Sequence, residues 1–234
     1  QNDLPEAISN LKQYKESLTS GQQFDSEISD NILIIEKKIL EATGDYNLSG
    51  ERYRSRLDIN TEYPLVSLGD KDLFQIESGG TPSSKDPECW NGEIKWLTLV
   101  DLPQKNLISE IVDSERKITL KGLNSSSAKL IPRDSVIVST RATIGRIGVN
   151  KVEVATNQGF KNILIKDFSK VSPKYVALAL TKQVDRMVEL ASGGTFKELS
   201  KTNFSTLQIP LPPLSIQEEI VAEIEGYQKI IDGA

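Results

Sequence analysis

Histidine is absent from these 234 residues. That absence removes Ser-His-Asp and Cys-His catalysis, imidazole-based zinc sites and the commonest general base. A single cysteine, Cys89, excludes an internal disulfide and a cysteine-based zinc site, and it fits a reducing compartment. No apolar run approaches membrane-spanning length, and no secretory signal or basic amphipathic presequence is recognisable, so a cytoplasmic location away from membranes is expected. Carboxylate or lysine chemistry stays open, but no acidic pair stands out beside a glycine loop that would form a pocket. The usual enzyme toolkit is thus absent, and no histidine- or cysteine-based metal site is expected.

What is present is unevenly charged. The net charge of −5 hides a division along the chain. Residues 1–62 carry twelve acids against seven bases, and residues 215–234 carry five acids against Lys229 alone. The middle, 63–214, holds sixteen acids against twenty bases, a net of +4. Acidic ends therefore flank a mildly basic globular part, which allows nucleic-acid contact through a local face without by itself indicating it.

Local patterns divide the chain further. Residues 1–26 are polar and interrupted by Gly21, which suggests a loosely ordered or partner-dependent arm. Residues 27–62 comprise a helix and a linker: Ser26 caps a helix over 27–42 whose Ile28, Ile32, Ile35 and Ile39 form a narrow stripe. Residues 63–213 form an α+β domain. Strands are expected at 73–77, 94–98, 136–139, 146–149, 152–155, 162–166 and 207–210, with helices over 119–130 and from Pro173 to Ser192. Residues 214–234 form a second amphipathic helix in which Ile216, Ile220, Ile224, Tyr227 and Ile231 recur at steps of four, four, three and four. Ser215 with Glu218 predicts a capping box at its start. Two such stripes suit an assembly seam, formed by Ile28, Ile32 and Ile35 with Ile220, Ile224 and Tyr227.

Gly193 to Glu225 carries the most specific string: a Gly-Gly-Thr loop, a strand ending in Leu211-Pro212-Pro213-Leu214, and an abrupt amphipathic helix. It resembles the end of a target-recognition domain in the specificity subunits of type I restriction-modification systems. Ser78-Gly79-Gly80-Thr81-Pro82-Ser83, with Trp90 and Trp96 beyond it, resembles the opening of such a domain, as does Tyr63-Pro64-Leu65-Val66-Ser67-Leu68-Gly69. The segment Gly44–Arg54 resembles the region where an adenine methyltransferase runs on toward a fused recognition domain. The catalytic Asn/Asp-Pro-Pro-aromatic tetrapeptide of such methyltransferases does not occur. The resemblance covers one recognition domain, about residues 63–231. It implies an α+β fold flanked by coiled-coil-type helices, a short twisted sheet, and no catalysis in this chain.

Three polar groups are the candidate DNA contacts. Gly80 lets backbone approach a ligand, and Thr81 and Ser83 offer hydroxyl donors to phosphate. The densest basic stretch contains Arg141, Thr143, Arg146 and Lys161, with Asn157 and Gln158 between them. Arginine suits guanine or phosphate, and Asn or Gln suits adenine. Thr195, Lys197 and Lys201 follow the last Gly-Gly pair and suit phosphate positioning. Each group has a plainer alternative as a turn or a satisfied loop, and the two tryptophans are better suited to packing than to base stacking. The function implied is recognition of one half of a bipartite double-stranded DNA target. The partners implied are an adenine methyltransferase, which brings S-adenosylmethionine, a motor-nuclease restriction subunit, and a second copy through the helices. The alternatives are the recognition end of a single-chain restriction-modification enzyme and a coiled-coil adaptor that binds no DNA.

Overall fold

The structure, a computed structural model, describes residues 4–20, 63–102, 109–193 and 197–233. The chain divides into two compact units, residues 1–60 and 61–234. In the first unit an α-helix, α1, runs over Leu4–Ser20, where a loosely ordered or partner-dependent arm was expected. The physical reason is legible in hindsight. Pro5 suits a first helical turn, Glu6, Ala7, Lys12 and Glu16 favour helix, and Leu4, Ile8, Leu11 and Leu18 recur at helical spacing. The expected helix over 27–42, with Ile28, Ile32 and Ile35, lies outside the described residues.

The second unit is α+β, as the sequence implies. Its main sheet contains β2 (Phe74–Ser78), β9 (Phe160–Ile165), β6 (Val136–Ser139), β7 (Ile147–Asn150) and β4 (Glu110–Ile111), in that spatial order. All its pairs are antiparallel except β7 with β4. A three-stranded sheet places β3 (Trp90–Leu97) between β5 (Arg116–Ile118) and β8 (Ala155–Thr156). A two-stranded ribbon joins β1 (Leu65–Ser67) to β10 (Gln208–Pro210), closing the ends of the domain on each other.

The main sheet is covered on both faces, which explains its continuous apolar strands. Val136, Val138, Ile147, Val149, Ile163 and Ile165 point to the larger core. There they meet Val176, Ala177 and Leu180 from α3 (Pro173–Thr181), Met187 from α4 (Val184–Leu190) and Phe204 from α5 (Lys201–Ser205). Ile137 and Phe160, on the opposite face, pack with Leu97, Leu102, Ile111, Ile131 and Val154. A third cluster forms around Trp96, Ile118, Ala128 and Ala155.

Three helix expectations change. The helix beginning after Thr119, α2, stops at Asn124; Thr119 caps it as expected by accepting from Gly122 N, but Ser125-Ser126-Ser127 does not sustain it. The helix from Pro173 is two helices, broken at Lys182-Gln183, where Thr181 Oγ1 bonds back to Leu178 O. The C-terminal helix, α6 (Leu214–Asp232), begins two residues before the first helical position that a Ser215 cap implies, so no Ser215–Glu218 capping box forms. Pro213 takes the cap position instead, and its carbonyl accepts from Ile216 N at 3.0 Å and Gln217 N at 3.1 Å. Among the described residues no helix is long and apolar enough to cross a membrane.

A buried glutamine locks α6 to the domain. Gln217 Oε1 accepts from Ser172 N at 2.9 Å, and its Nε2 donates to Lys170 O and Pro212 O, each at 2.8 Å. Val221, one turn on, is buried beside it on the same helix face. Lys174 adds ion pairs to Glu110 at 2.8 Å and to Glu225 at 2.6 Å, tying α3 to both β4 and α6. Those carboxylates hold the Lys174 ammonium above its ordinary range, with burial opposing.

Candidate nucleic-acid interface

The loop after β2 is set by its glycines. A side chain at Gly79 would place Cβ 2.0 Å from Asn157 O, and one at Gly80 would place it 2.2 Å from Ala128 N. The pair therefore exists for close packing of backbone on backbone, and Gly80 N donates to Thr156 O at 2.8 Å. Two tryptophans pin the same loop: Trp96 Nε1 donates to Gly80 O and Trp90 Nε1 to Ser83 O, each at 2.9 Å. Their rings meet edge-on at 5.1 Å, and the Arg116 guanidinium lies 4.1 Å from the Trp90 ring and 5.0 Å from the Trp96 ring. The tryptophans are framework, as their chemistry suggested, while Gly80 is buried and Ser83 Oγ accepts from Lys85 N. What the framework presents is Thr81, whose hydroxyl donates to the Gln158 side-chain carbonyl.

The β6–β7 loop presents Arg141. Ser139 Oγ braces it, donating to Thr143 O at 2.6 Å and accepting from Arg146 N at 2.9 Å. Ala142 sits at φ 62°, an unusual left-handed conformation for a residue other than glycine. Arg141 and Thr143 are exposed on this loop, whereas Arg146 turns back and donates to Leu99 O at 3.1 Å. The two arginines of one motif thus point to different places, one outward and one back onto the domain.

The β8–β9 loop supplies the third edge. Asn157 Oδ1 accepts from Gly159 N at 2.8 Å, and Gly159 O accepts from Thr140 N at 2.8 Å, joining this loop to the base of the Arg141 loop. Thr81, Arg141, Asn157 and Gln158 consequently line one open concavity of about 380 Å³, floored by Phe160. Thr81 and Gln158, 77 positions apart in sequence, share this surface because β9 pairs with both β2 and β6.

Lys161 does not reach that surface. On β9 it shares the face of Ile163 and Ile165, and its side chain is only 5% exposed. Its ammonium lies 3.4 Å from Thr140 Oγ1 and 3.8 Å from Glu198 Oε1. Burial pushes its pKa below the ordinary value; Glu198 opposes that shift and Lys201 adds to it. The expected DNA contact at Lys161 is corrected to an internal charge, because strand alternation turns it inward.

Thr195 lies outside the described residues. Lys197 is exposed, and Lys201 opens α5 beside a second concavity of about 530 Å³ that also includes Lys71 and Lys166. Neither Lys197 nor Lys201 lines the three-loop concavity. The sequence reading missed Glu198, Arg116 and Gln217. An acid in a polar loop, an arginine at a strand start and a glutamine at a helix start give no signal until pairing places them. Among the described residues no group of three or more His, Cys, Asp or Glu side chains is placed to hold a metal ion.

The seam residues of α6 divide by depth. Ile220 and Ile224 are half-buried, whereas Tyr227 is 53% and Ile231 65% exposed. Tyr227 also donates to Glu223 Oε1 at 2.8 Å. The helix therefore presents Gln217 and Val221 to its own domain and leaves an apolar strip open toward its end.

The family described as the type I restriction modification DNA specificity domain matches residues 66–232 of this chain. Among curated relatives, the type I restriction enzyme MjaIX specificity subunit of Methanocaldococcus jannaschii is 34% identical over 163 residues, covering 69% of this chain and 37% of that protein. The type I restriction enzyme HindI specificity subunit of Haemophilus influenzae is 29% identical over 159 residues, 66% of this chain and 34% of that protein. The chain thus spans about a third of the length of these two relatives. Among solved structures, a chain from a study of complex assembly and conformational transition of the type I R-M system superposes with a TM-score of 0.59. It is 16% identical, and the match covers 98% of this chain and 50% of that one, a likeness of fold.

Proposed function

The chain belongs to the type I restriction modification DNA specificity domain family, and on that premise we propose that it is a non-catalytic reader of double-stranded DNA. It recognises one half of a bipartite target and directs an adenine methyltransferase to it. The observation that carries this reading is the convergence of Thr81, Arg141, Asn157 and Gln158 from three separate loops on one concavity. These side chains span the donor and acceptor chemistry needed at base edges, and they are presented by braced backbone. Phosphate contacts from Lys197 and Lys201 supply register and salt-dependent affinity. The open strip of α6 docks a partner helix, from the methyltransferase or a second copy, and fixes the distance to the other half-site. S-adenosylmethionine belongs to that methyltransferase, a restriction subunit joins the same assembly, and the work is done in the cytoplasm.

The test is a map of methylated adenines in a host with and without this gene. Duplexes carrying the mapped target are then compared with scrambled duplexes by fluorescence anisotropy at one fixed salt concentration. A preference of about a thousandfold or more is expected of a specific reader. Equal binding to both duplexes overturns the reading.

A further inference from the structure

The three-loop surface has an anion at its edge that binding a polyanion does not call for. Glu198 lies beside Arg141, and a carboxylate facing DNA lowers affinity by charge repulsion. It is held firmly there. Glu198 N donates to Ser192 O at 2.9 Å, Ser192 N donates to Glu198 O at 3.1 Å, and Leu199 N donates to Thr140 O at 2.9 Å. Its two carboxylate oxygens face two cations: Oε2 is 4.0 Å from Arg141 Nη1, and Oε1 is 3.8 Å from Lys161 Nζ. Those cations are not equivalent. The Lys161 side chain is 5% exposed and stays inside, whereas that of Arg141 is 45% exposed and free to meet a ligand. Lys161 anchors the carboxylate from the interior, and the carboxylate flanks the guanidinium at the surface.

We propose that Glu198 is a specificity-determining positioning residue, which holds the Arg141 fork toward a base edge and keeps it away from phosphates; this rests on the DNA-reading function proposed above. A guanidinium has its donors in a rigid plane, so a carboxylate beside one nitrogen restricts where the other donors point. A phosphate drawn to Arg141 also approaches Glu198, and the two anions repel. A base edge carries no net charge and meets no such opposition. Discrimination then arises from what Glu198 disfavours as much as from what Arg141 attracts. The arrangement also gives the buried Lys161 a role in recognition without contact to DNA.

Binding sites are selected from a duplex library with a random core, using the full chain as wild type, Glu198→Gln and Lys161→Met. The wild type is expected to enrich a defined motif, and Glu198→Gln the same motif with one base-pair preference lost. Glu198→Gln is also expected to bind random duplex about threefold more tightly at about 50 mM salt, while its preference for the wild-type motif falls about tenfold. Lys161→Met is expected to lose the same base pair although it removes a positive charge, an outcome that general electrostatics does not give. An unchanged motif from Glu198→Gln, or a uniform weakening on every DNA, overturns the proposal. Thermal melting establishes that each variant is folded; if Lys161→Met does not fold, the near-isosteric Glu198→Gln decides alone. Failure of the wild type to enrich any motif overturns the DNA-reading function itself, an outcome distinct from an unchanged variant motif.

Discussion

Arg141 and Arg146 lie in one loop and one sequence motif, yet one faces outward and the other closes the loop onto Leu99 O. Arg141→Ala is accordingly expected to weaken binding to target by about 1–3 kcal/mol and to random duplex by less. Paired titrations on the two DNAs check this, and equal losses reassign Arg141 to phosphate. Lys197→Ala and Lys201→Ala are expected to weaken both DNAs alike and to reduce the slope of affinity against salt; salt titration of each variant decides it. Residue types singled out Thr81, Arg141, Asn157 and Gln158 separately, and strand pairing then places all four around one concavity, which spacing in the sequence does not reveal. Residue type misled at Lys161, where composition says exposed and strand alternation says buried. Arg116 was invisible for a related reason, since a cation lying over two indoles has no signature in sequence. Arg116→Ala is expected to cost about 0.5–2 kcal/mol of stability, measured as a shift of the urea midpoint.

At the scale of elements, the central strands are legible because apolar, β-branched runs between turn residues have few alternatives to a buried sheet. Helix ends are less so. The break at Lys182-Gln183 lies within an unbroken apolar period, and only the packed structure shows Val176, Leu180 and Met187 meeting one core from two helices. The start of α6 was placed by Ser215 and Glu218, while the Pro213 carbonyl decided it. Gln217 is the element-scale surprise, an amide with no exposed surface that satisfies three backbone groups from the ends of two segments. Gln217→Leu fills a similar volume but leaves those groups unpaired, so a loss of about 2–4 kcal/mol is expected. Denaturant unfolding measures the loss, and hydrogen exchange is expected to rise first in the opening turns of α6. A variant as stable and as protected as the parent removes the lock from the account.

For the whole molecule, ion pairs set the acid limit, and the proposed assembly through α6 is tested apart from the fold. The Lys151 ammonium, 2.6 Å away, holds the Asp134 carboxyl below its ordinary range, and Lys174 does the same for Glu110. The folded state then binds fewer protons than the unfolded chain in this range. The stabilisation is present above the ordinary carboxylate pKa of about 4 and is lost as pH falls through the lowered values. Asp134→Asn tolerates the left-handed backbone at φ 60° equally well, so its stability is expected to fall less steeply in acid than the parent's. Assembly is a separate matter, because Tyr227 and Ile231 are far more open than the Gln217–Val221 face that holds α6 to its domain. Aspartate at both exposed positions is expected to leave the urea midpoint within about 0.5 kcal/mol of the parent, as for surface changes generally. The same variant is expected to lose self-association and methyltransferase binding, read by sedimentation and by co-purification with the methyltransferase. A lost fold shows that this end of the helix belongs to the core. Intact folding with intact assembly removes the seam from the C-terminal strip and leaves the half-buried Ile220 and Ile224 as the place to look for it.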